Sequence, residues 1–171
     1  MTRADEIAQW LSDKGITHAF GVIGGGNVAL WDAITRLGKT EIVCTHHEQA
    51  AAMAACFYQR TCGRIALCLV TTGGGSSNAV TGVLAGYMDR TPLLVISGNE
   101  PSRYMDAETR VWGIQGYDSS GMAHGQVVKG SMRMREMHDV TWLDACLNVA
   151  LEPPFGPVWI DIPADVQRAV V

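Results

Sequence analysis

Short apolar runs alternate with longer segments of helical spacing along this chain. Residues 2–14 carry Ile7, Trp10 and Leu11 at helical intervals, and the segment stops at Gly15, a natural helix C-cap. Nearly unbroken apolar runs, such as that at 64–70, are typical of strands buried on both faces of a parallel sheet. The pattern predicts strands at residues 17–22, 41–44, 64–70, 93–97, 127–132 and 157–162, and helices at 2–14, 27–37, from 48 onwards, 79–88 and 139–151. This order predicts an α/β fold, a three-layer α/β/α sandwich with a parallel central sheet of about six strands, formed by residues 1–171 as a single domain.

Residues 99–125 interrupt this alternation, because they are polar, irregular and rich in glycine. An irregular stretch of this length inside a compact domain is usually functional or mobile. Two of its side chains are candidates for contact with a substrate. Gln115 could donate a hydrogen bond to a carboxylate or carbonyl group. His124 could face a pocket, although a solvated loop histidine is the simpler interpretation.

Composition argues against two classes of partner. The net charge is −4 and no cluster of Lys and Arg occurs, which argues against a nucleic-acid surface. No apolar run approaches the roughly 18 residues that a membrane-spanning helix requires, and the N-terminal residues lack the pattern of a signal peptide. We therefore expect neither a nucleic acid nor a membrane as partner.

The cysteines form an odd set of five without a C-x-x-C pair: Cys44, Cys56, Cys62, Cys68 and Cys146. Three of them lie in or beside predicted core elements, which indicates reduced thiols and a cytoplasmic protein. The sequence predicts no metal site, because His46 and His47 adjoin a single carboxylate and point in different directions on any regular element.

Glu48 is the leading candidate for chemistry. It follows the strand at 41–44 and begins an alanine-rich helix, so it should lie at the carboxyl edge of the sheet, where open α/β folds bind their ligands. The small side chains of residues 50–55 should let another backbone or subunit approach this helix closely. A simpler interpretation of Glu48 is a first-turn glutamate that complements the helix dipole. Beside it, His47 could contact a substrate, although satisfying backbone groups at the turn is the simpler role.

Two glycine-rich loops follow predicted strands. Residues 24–29 fit G-x-G-x-x-G/A between a strand and a helix, which is the dinucleotide fingerprint. Glu41 or Glu48 could then supply the acidic residue that a nicotinamide-binding domain places about 20 positions later. That interpretation leaves the second loop, residues 73–78, without a function. Neither loop continues into Gly-Lys-Ser/Thr, which excludes a P-loop.

Single residues of these loops have structural and functional interpretations. Gly24 and Gly25 could bring backbone close to a ligand where any Cβ would intrude, or could serve turn geometry alone. Gly73 opens the second loop. Asn78 ends it, and its main expected role is to cap the helix predicted at residues 79–88.

Six segments carry motifs in a fixed order: residues 21–25 (GVIGG), 47–51 (HEQAA), 71–78 (TTGGGSSN), 87–98 (YMDRTPLLVISG), 115–118 (QGYD) and 156–167 (GPVWIDIPADVQ). Together they resemble the motifs of the pyrimidine-binding (PYR) domain of thiamine-diphosphate enzymes, in the acetolactate synthase and 2-oxoacid decarboxylase group. The resemblance extends over residues 3–168. Ile23 and Gly74 stand where the family pattern has prolines, and Gly116 where a glutamate is common.

The resemblance implies a role for Glu48. In this family a glutamate hydrogen-bonds N1′ of the aminopyrimidine ring of the cofactor and shares or donates a proton, so that the 4′-nitrogen can take the proton from C2 of the thiazolium ring. Glu48 would fill this role, and we expect its carboxylate to be largely removed from solvent. The other candidate site residues are Gly24, Gly25, Gly73 and Asn78 for the cofactor, and Gln115, His47 and His124 for the substrate.

The resemblance also implies a partner. The family holds the diphosphate and its Mg²⁺ through a second domain with a Gly-Asp-Gly motif, and this chain contains no Gly-Asp-Gly. We therefore expect a separate diphosphate-binding (PP) subunit in an α2β2 assembly, with a fragment of a longer enzyme as the alternative. The chain alone should not bind thiamine diphosphate tightly.

The implied reaction is decarboxylation of a 2-oxoacid followed by carboligation or acyl transfer, as in acetolactate synthase. A simple 2-oxoacid decarboxylase, of the sulfopyruvate or phosphonopyruvate type, is the alternative. Two other classes are a nicotinamide-dependent Rossmann domain that uses Gly24, Gly26 and Glu48, and a non-catalytic assembly domain. An assembly domain has no need of a carboxylate at Glu48.

Overall fold

The computed structural model describes residues 1–104 and 126–171. Gln115 and His124 therefore lie outside the described residues. The helices are α1 (Arg3–Asp13), α2 (Val28–Leu37), α3 (Glu48–Cys62), α4 (Gly74–Met88), α5 (Trp142–Leu151) and α6 (Ala164–Arg168). The strands are β1 (His18–Gly21), β2 (Glu41–Cys44), β3 (Leu67–Val70), β4 (Leu93–Asn99), β5 (Gly130–Arg133) and β6 (Pro157–Pro163).

These strands form one parallel sheet in the order β2-β1-β3-β4-β6-β5. Successive residues of a strand point to opposite faces, so Leu67 and Leu69 enter one core while Cys68 and Val70 enter the other. The first core includes residues of α1, α2 and α5, and the second includes residues of α3 and α4. The predicted three-layer sandwich around a parallel sheet of about six strands is confirmed.

Helix ends follow local sequence signals. At the start of α1, Thr2 and Asp5 form a capping box, in which the Asp5 carboxylate accepts a hydrogen bond of 2.8 Å from the backbone N–H of Thr2. Gly38 and Gly63 end α2 and α3 in the left-handed conformation that glycine adopts most easily. The signal at Gly38 explains why α2 ends at Leu37, as the alternation of the sequence predicts.

The largest departure from the predicted elements concerns α4. The sequence pattern predicts a helix from residue 79, whereas α4 begins five residues earlier at Gly74. Glycine is a poor helix former, so the run of glycines at residues 73–75 predicts a loop. However, the first turn of a helix leaves its N–H groups without helical partners, and packing against neighbouring elements decides its conformation.

Smaller differences occur at other element ends. They include β1 at His18–Gly21 instead of 17–22, β3 from Leu67 instead of 64, β4 to Asn99 instead of 97, β5 at Gly130–Arg133 instead of 127–132, and α5 from Trp142 instead of 139, with shifts of one residue at ends of α1, α2 and β6. Helix α6 is not predicted by the sequence pattern, because five residues are too few to display a helical period.

Helices α3 and α4 approach each other closely on one face of the sheet. A Cβ at Gly82 would lie 2.7 Å from the Cβ of Ala52, and a Cβ at Gly86 would lie 2.7 Å from Sγ of Cys56. These four residues are termed here the glycine seam. The seam confirms that the small side chains of residues 50–55 admit another backbone, and it brings the first turns of α3 and α4 together.

Two further expectations concern the surroundings of the chain. All five cysteines are free thiols; Cys56, Cys68 and Cys146 are buried, whereas Cys44, at the end of β2, and Cys62 are exposed. Within residues 1–104 and 126–171, no helix has the length and apolar character needed to cross a membrane.

Candidate active site

Glu48 begins α3 at the carboxyl edge of the sheet, shortly after β2. It is only 8% exposed, which confirms the expectation of a largely desolvated carboxylate. His47 precedes it as the N-cap of α3, where Nδ1 of His47 accepts a hydrogen bond of 3.2 Å from the backbone N–H of Gln49. The structure thus gives His47 the simpler of its two expected roles, and contact with a substrate stays a prediction.

Asn78 contacts Glu48 and does not cap a helix. It lies inside α4, whose N-cap is Gly73, so the predicted capping role of Asn78 is wrong. Nδ2 of Asn78 instead donates a hydrogen bond of 3.0 Å to Oε2 of Glu48. Gly73 has φ 64° and ψ −119°, a conformation that favours glycine and accounts for this residue at the turn.

Thr71 connects the two glycine loops, although the sequence analysis did not single it out as a site residue. Its Oγ1 accepts a hydrogen bond of 3.1 Å from the backbone N–H of Gly26. A Cβ at Gly24 in the first loop, or at Gly75 at the start of α4, would lie 2.6 Å from Cγ2 of Thr71. The loops can therefore meet on this side chain only because both positions lack a Cβ. One sequence feature could have indicated this role: Thr71, with its side-chain hydroxyl, directly follows β3.

The glycines differ in what they provide to the site. A Cβ at Gly75 would lie 3.3 Å from Oε1 of Glu48, so the bare backbone of α4 lines this oxygen. The N–H of Gly24 donates a hydrogen bond of 2.8 Å to Oδ1 of Asn27, which gives Gly24 a role in turn geometry. No atom of the described residues lies within 4 Å of the position of a Cβ at Gly25, so this part of the loop borders open space.

A buried polar network supports the sheet edge beside these loops. Asp161 on β6 accepts hydrogen bonds of 2.6 Å from Oγ of Ser97 and 2.8 Å from Nδ2 of Asn99, both on β4. Nε1 of Trp159 donates to Oγ of Ser97 at 2.8 Å. Oγ1 of Thr72, just after β3, donates to Oδ1 of Asn99 at 2.7 Å. Because all these side chains are buried, the network fixes the carboxyl ends of β3, β4 and β6 relative to one another.

Gln167 ties α6 to the first glycine loop. Its Nε2 donates hydrogen bonds of 2.7 Å to the carbonyl oxygens of Gly26 and Ile162. On another side, the backbone of Gly26 packs against Gly98 of β4 so closely that Gly98 has no room for a side chain. The loop is therefore held by both α6 and β4. The sequence analysis missed this role of Gln167, because the contact joins residues 141 positions apart.

The topology disfavours the nicotinamide-binding interpretation. In the dinucleotide fold β1 lies between β2 and β4, whereas here β1 pairs with β2 and β3. Glu41 begins β2 opposite His18, at the amino edge of the sheet. It is therefore at the wrong edge to act as the acidic partner of the loop at residues 24–29.

Comparison with known proteins agrees with this geometry. Residues 1–125 match the family described as thiamine pyrophosphate enzyme, N-terminal TPP binding domain. The acetolactate synthase large subunit of Haemophilus influenzae is 35% identical over 166 residues, which are 96% of this chain and 28% of that protein. The acetolactate synthase of Arthrospira platensis is 34% identical over 175 residues, covering 100% of this chain and 29% of that protein. The acetolactate synthase isozyme 3 large subunit of Escherichia coli K12 is 32% identical over 167 residues, covering 97% of this chain and 28% of that protein.

The chain belongs to the thiamine pyrophosphate enzyme family, as an N-terminal TPP binding domain. Within that family it is similar, along nearly all of its length, to acetolactate synthase large subunits. It spans less than a third of the length of these curated relatives.

The residues around Glu48 suit the pyrimidine end of thiamine diphosphate. The buried carboxylate can hydrogen-bond a ring nitrogen, and beside its Oε1 the backbone of Gly75 carries no side chain that would obstruct a flat ring. Across the described part of the chain, no group of three or more His, Cys, Asp or Glu side chains is arranged to hold a metal ion.

Proposed function

We propose that this chain forms the pyrimidine-binding half of a thiamine-diphosphate site, as one domain over residues 1–171, and that Glu48 is its catalytic carboxylate. The observation that carries this proposal is the burial of Glu48 at the carboxyl edge of the sheet, where it is 8% exposed and faces the bare backbone of Gly75. A glutamate that only complements the helix dipole can do so while exposed to solvent. Burying its charge would cost free energy without strengthening that interaction.

Glu48 provides two functions in this proposal. Bound thiamine diphosphate would supply a thiazolium ring whose C2, once deprotonated, can add to a carbonyl carbon, and whose positively charged ring can then serve as the electron sink. Glu48 donates or shares a hydrogen bond at N1′ of the aminopyrimidine and exchanges a proton with that nitrogen. An aspartate would stop about one methylene short of the ring, and a glutamine could hydrogen-bond but not exchange the proton.

The remaining candidates support this contact. Gly25 leaves space for the cofactor, Gly24 and Gly73 set the turns of the two loops, and Asn78 holds Glu48. For the substrate, the proposed contacts are Gln115, His47 and His124.

We further propose that a PP domain binds the diphosphate and Mg²⁺. It belongs either to a separate subunit, in an α2β2 assembly, or to further polypeptide joined to this chain. Two observations support such a partner: the chain spans less than a third of its relatives, and the outer faces of α3 and α4 expose large apolar side chains. These are Phe57 (62% exposed), Leu84 (36%) and Met88 (74%). Exposed apolar surface of this kind is typical of protein interfaces.

The proposed reaction is decarboxylation of a 2-oxoacid, with transfer of the resulting acyl group to a second carbonyl compound. The relatives support ligation over simple decarboxylation, because those named above are acetolactate synthases. We propose a cytoplasmic location, which the free state of all five cysteines supports.

Calorimetric titration with thiamine diphosphate and Mg²⁺ tests this proposal. The lone chain is compared with the assembly that a tag on this chain recovers from its native cells. We expect tight, Mg²⁺-dependent binding by the assembly and weak binding by the lone chain. Binding of NAD by the lone chain, without binding of thiamine diphosphate by the assembly, would overturn the proposal.

A further inference from the structure

On the basis of the function proposed for Glu48, we propose that Asn78 is a positioning residue for Glu48. Its side-chain amide holds one carboxylate oxygen, Oε2, and thereby leaves the other, Oε1, as the oxygen that meets the aminopyrimidine ring.

The contact itself gives the two oxygens different environments. Nδ2 of Asn78 lies 3.0 Å from Oε2 of Glu48, and among the described residues no other side chain hydrogen-bonds to this carboxylate. An asparagine –NH₂ group donates protons but does not take them up, so Oε2 stays engaged whether or not the ring nitrogen is protonated. Oε1 has no such donor and borders Gly75, where a Cβ would lie 3.3 Å away.

The packing of α3 on α4 places this donor. Three pairs of residues face each other at intervals of four along both helices: Glu48 with Asn78, Ala52 with Gly82, and Cys56 with Gly86. Residues four apart lie on one face of a helix, so the Glu48–Asn78 pair lies one turn before the glycine seam on the same helix faces. Because the seam brings the helices so close, the short side chain of Asn78 reaches the carboxylate directly.

The chemistry of the pair predicts how substitutions differ. Asn78→Ala removes the donor and frees the carboxylate to turn. Asn78→Asp keeps the shape but places a second carboxylate about 3 Å from the first, where like charges repel, so it should displace Glu48 more than the alanine does.

The first test needs only this chain and no cofactor. In a ¹H–¹⁵N spectrum the side-chain amide of Asn78 is assigned by its loss in Asn78→Ala. We expect Glu48→Gln to shift this resonance, because a charge-assisted hydrogen bond becomes a neutral one. Glu41→Gln, at the opposite edge of the sheet, should leave it in place. An Asn78 resonance that does not respond to Glu48→Gln would overturn the inference.

The second test measures how fast the C2 proton of bound thiamine diphosphate exchanges with D₂O in the assembled enzyme. A charge-assisted hydrogen bond controls orientation, so we expect Asn78→Ala to slow the exchange about tenfold or more, and Asn78→Asp to slow it further. Ser77→Ala is the matched control on the same turn of α4, where the Ser77 hydroxyl donates a hydrogen bond to the carbonyl oxygen of Gly74, and it should exchange at the wild-type rate.

The outcomes separate the inference from the proposed function. If Glu48→Gln slows the exchange while both Asn78 variants match wild type, the positioning role is wrong and the function of Glu48 stands. If the two Asn78 variants slow it equally and lose equal free energy of unfolding, Asn78 is structural and the inference fails. If Glu48→Gln exchanges at the wild-type rate, the proposed function itself fails.

Discussion

Gly82 and Ala52 are packed so closely that a Cβ at Gly82 would lie 2.7 Å from the Cβ of Ala52. Real Cβ atoms essentially never come this close, so the distance between α3 and α4 depends on the missing side chain. The same two helices carry Glu48 and Asn78 in their first turns, where the side chains are hydrogen-bonded at 3.0 Å. A small residue in the middle of a helix therefore controls the geometry of the candidate catalytic carboxylate.

Gly82→Ala should destabilise the protein. Alanine gains roughly 0.5–1 kcal/mol over glycine in a helix interior, but overpacking of a close-packed interface costs about 1–3 kcal/mol. The clash involves the backbone oxygen of Gln49 as well as Ala52, so relaxation of a flexible side chain cannot relieve it. We expect a net loss of about 1–2 kcal/mol in the free energy of unfolding, measured with urea.

Gly74→Ala is the matched control, because it makes the same substitution in the same helix. Apart from its chain neighbours and the backbone of its own helix, no atom of the described residues lies within 4 Å of the position of a Cβ at Gly74, so this variant should be neutral or slightly more stable than wild type. Equal effects of the two substitutions would contradict a close α3–α4 contact.

Gln167→Leu should destabilise the first glycine loop. The substitution keeps most of the volume but removes both hydrogen bonds from Nε2, and it leaves the carbonyl oxygens of Gly26 and Ile162 without this donor. Loss of such buried bonds typically costs about 1–3 kcal/mol. Gln9→Leu is the control, since the amide of Gln9 is exposed and donates its hydrogen bond to the carboxylate of Asp13. Equal changes in the free energy of unfolding for the two variants would show that Gln167 does not anchor the loop.

The hydrogen bonds to Asp5 predict how the free energy of unfolding depends on pH. Hydrogen bonds, first from the backbone N–H of Thr2 and then from the Arg36 guanidinium, lower the pKa of Asp5 to about 2. Since an aspartate in an unfolded chain has a pKa of about 3.9, the stabilisation is complete above pH ~4 and is lost as the pH falls towards 2. Asp5→Asn should therefore be less stable than wild type at pH 7, and the difference should shrink between pH ~4 and ~2. A difference that does not change with pH would contradict the low pKa.

The cysteines should react in two classes. Burial raises the pKa of Cys56 to about 11 and that of Cys146 to about 12, and it also raises the pKa of the fully buried Cys68. Cys44 and Cys62 are exposed. Iodoacetamide at pH 8 should modify the two exposed thiols in the native protein and all five only after unfolding, as peptide mass spectrometry can measure. Rapid native labelling of Cys56 would show that the α3–α4 interface opens.

Much of the fold could be predicted because its signals are local. The apolar runs of β3, β4 and β6 indicate a sheet covered on both faces, and glycines mark the ends of α2 and α3. The start of α4 could not be predicted in this way. In the first turn of α4, Gly75 packs against Thr71 and against Glu48 of α3, and that contact depends on the tertiary fold rather than on helix propensity.

The site could be predicted only in part for the same reason. The position of Glu48 could be predicted, because a carboxylate shortly after a strand lies at the carboxyl edge of a parallel sheet. The contacts of Asn78, Thr71 and Gln167 join residues 30, 45 and 141 positions apart, so no local pattern reveals them. One signal was available: Asn78, Gly82 and Gly86 repeat at intervals of four, as the residues of one helix face do.

The most direct test of the central claim compares Glu48→Gln with Glu41→Gln in the assembled enzyme, by the rate at which C2 of bound thiamine diphosphate exchanges its proton with D₂O. Glu41 is the first residue of β2, and Glu48 follows the other end of this strand. Of the two carboxylates, only that of Glu48 is buried at the edge where the glycine loops meet. We expect Glu48→Gln to slow the exchange about 100-fold or more, with an unchanged midpoint of thermal unfolding, and Glu41→Gln to match wild type. Wild-type exchange in Glu48→Gln would contradict the assignment of Glu48 as the catalytic carboxylate.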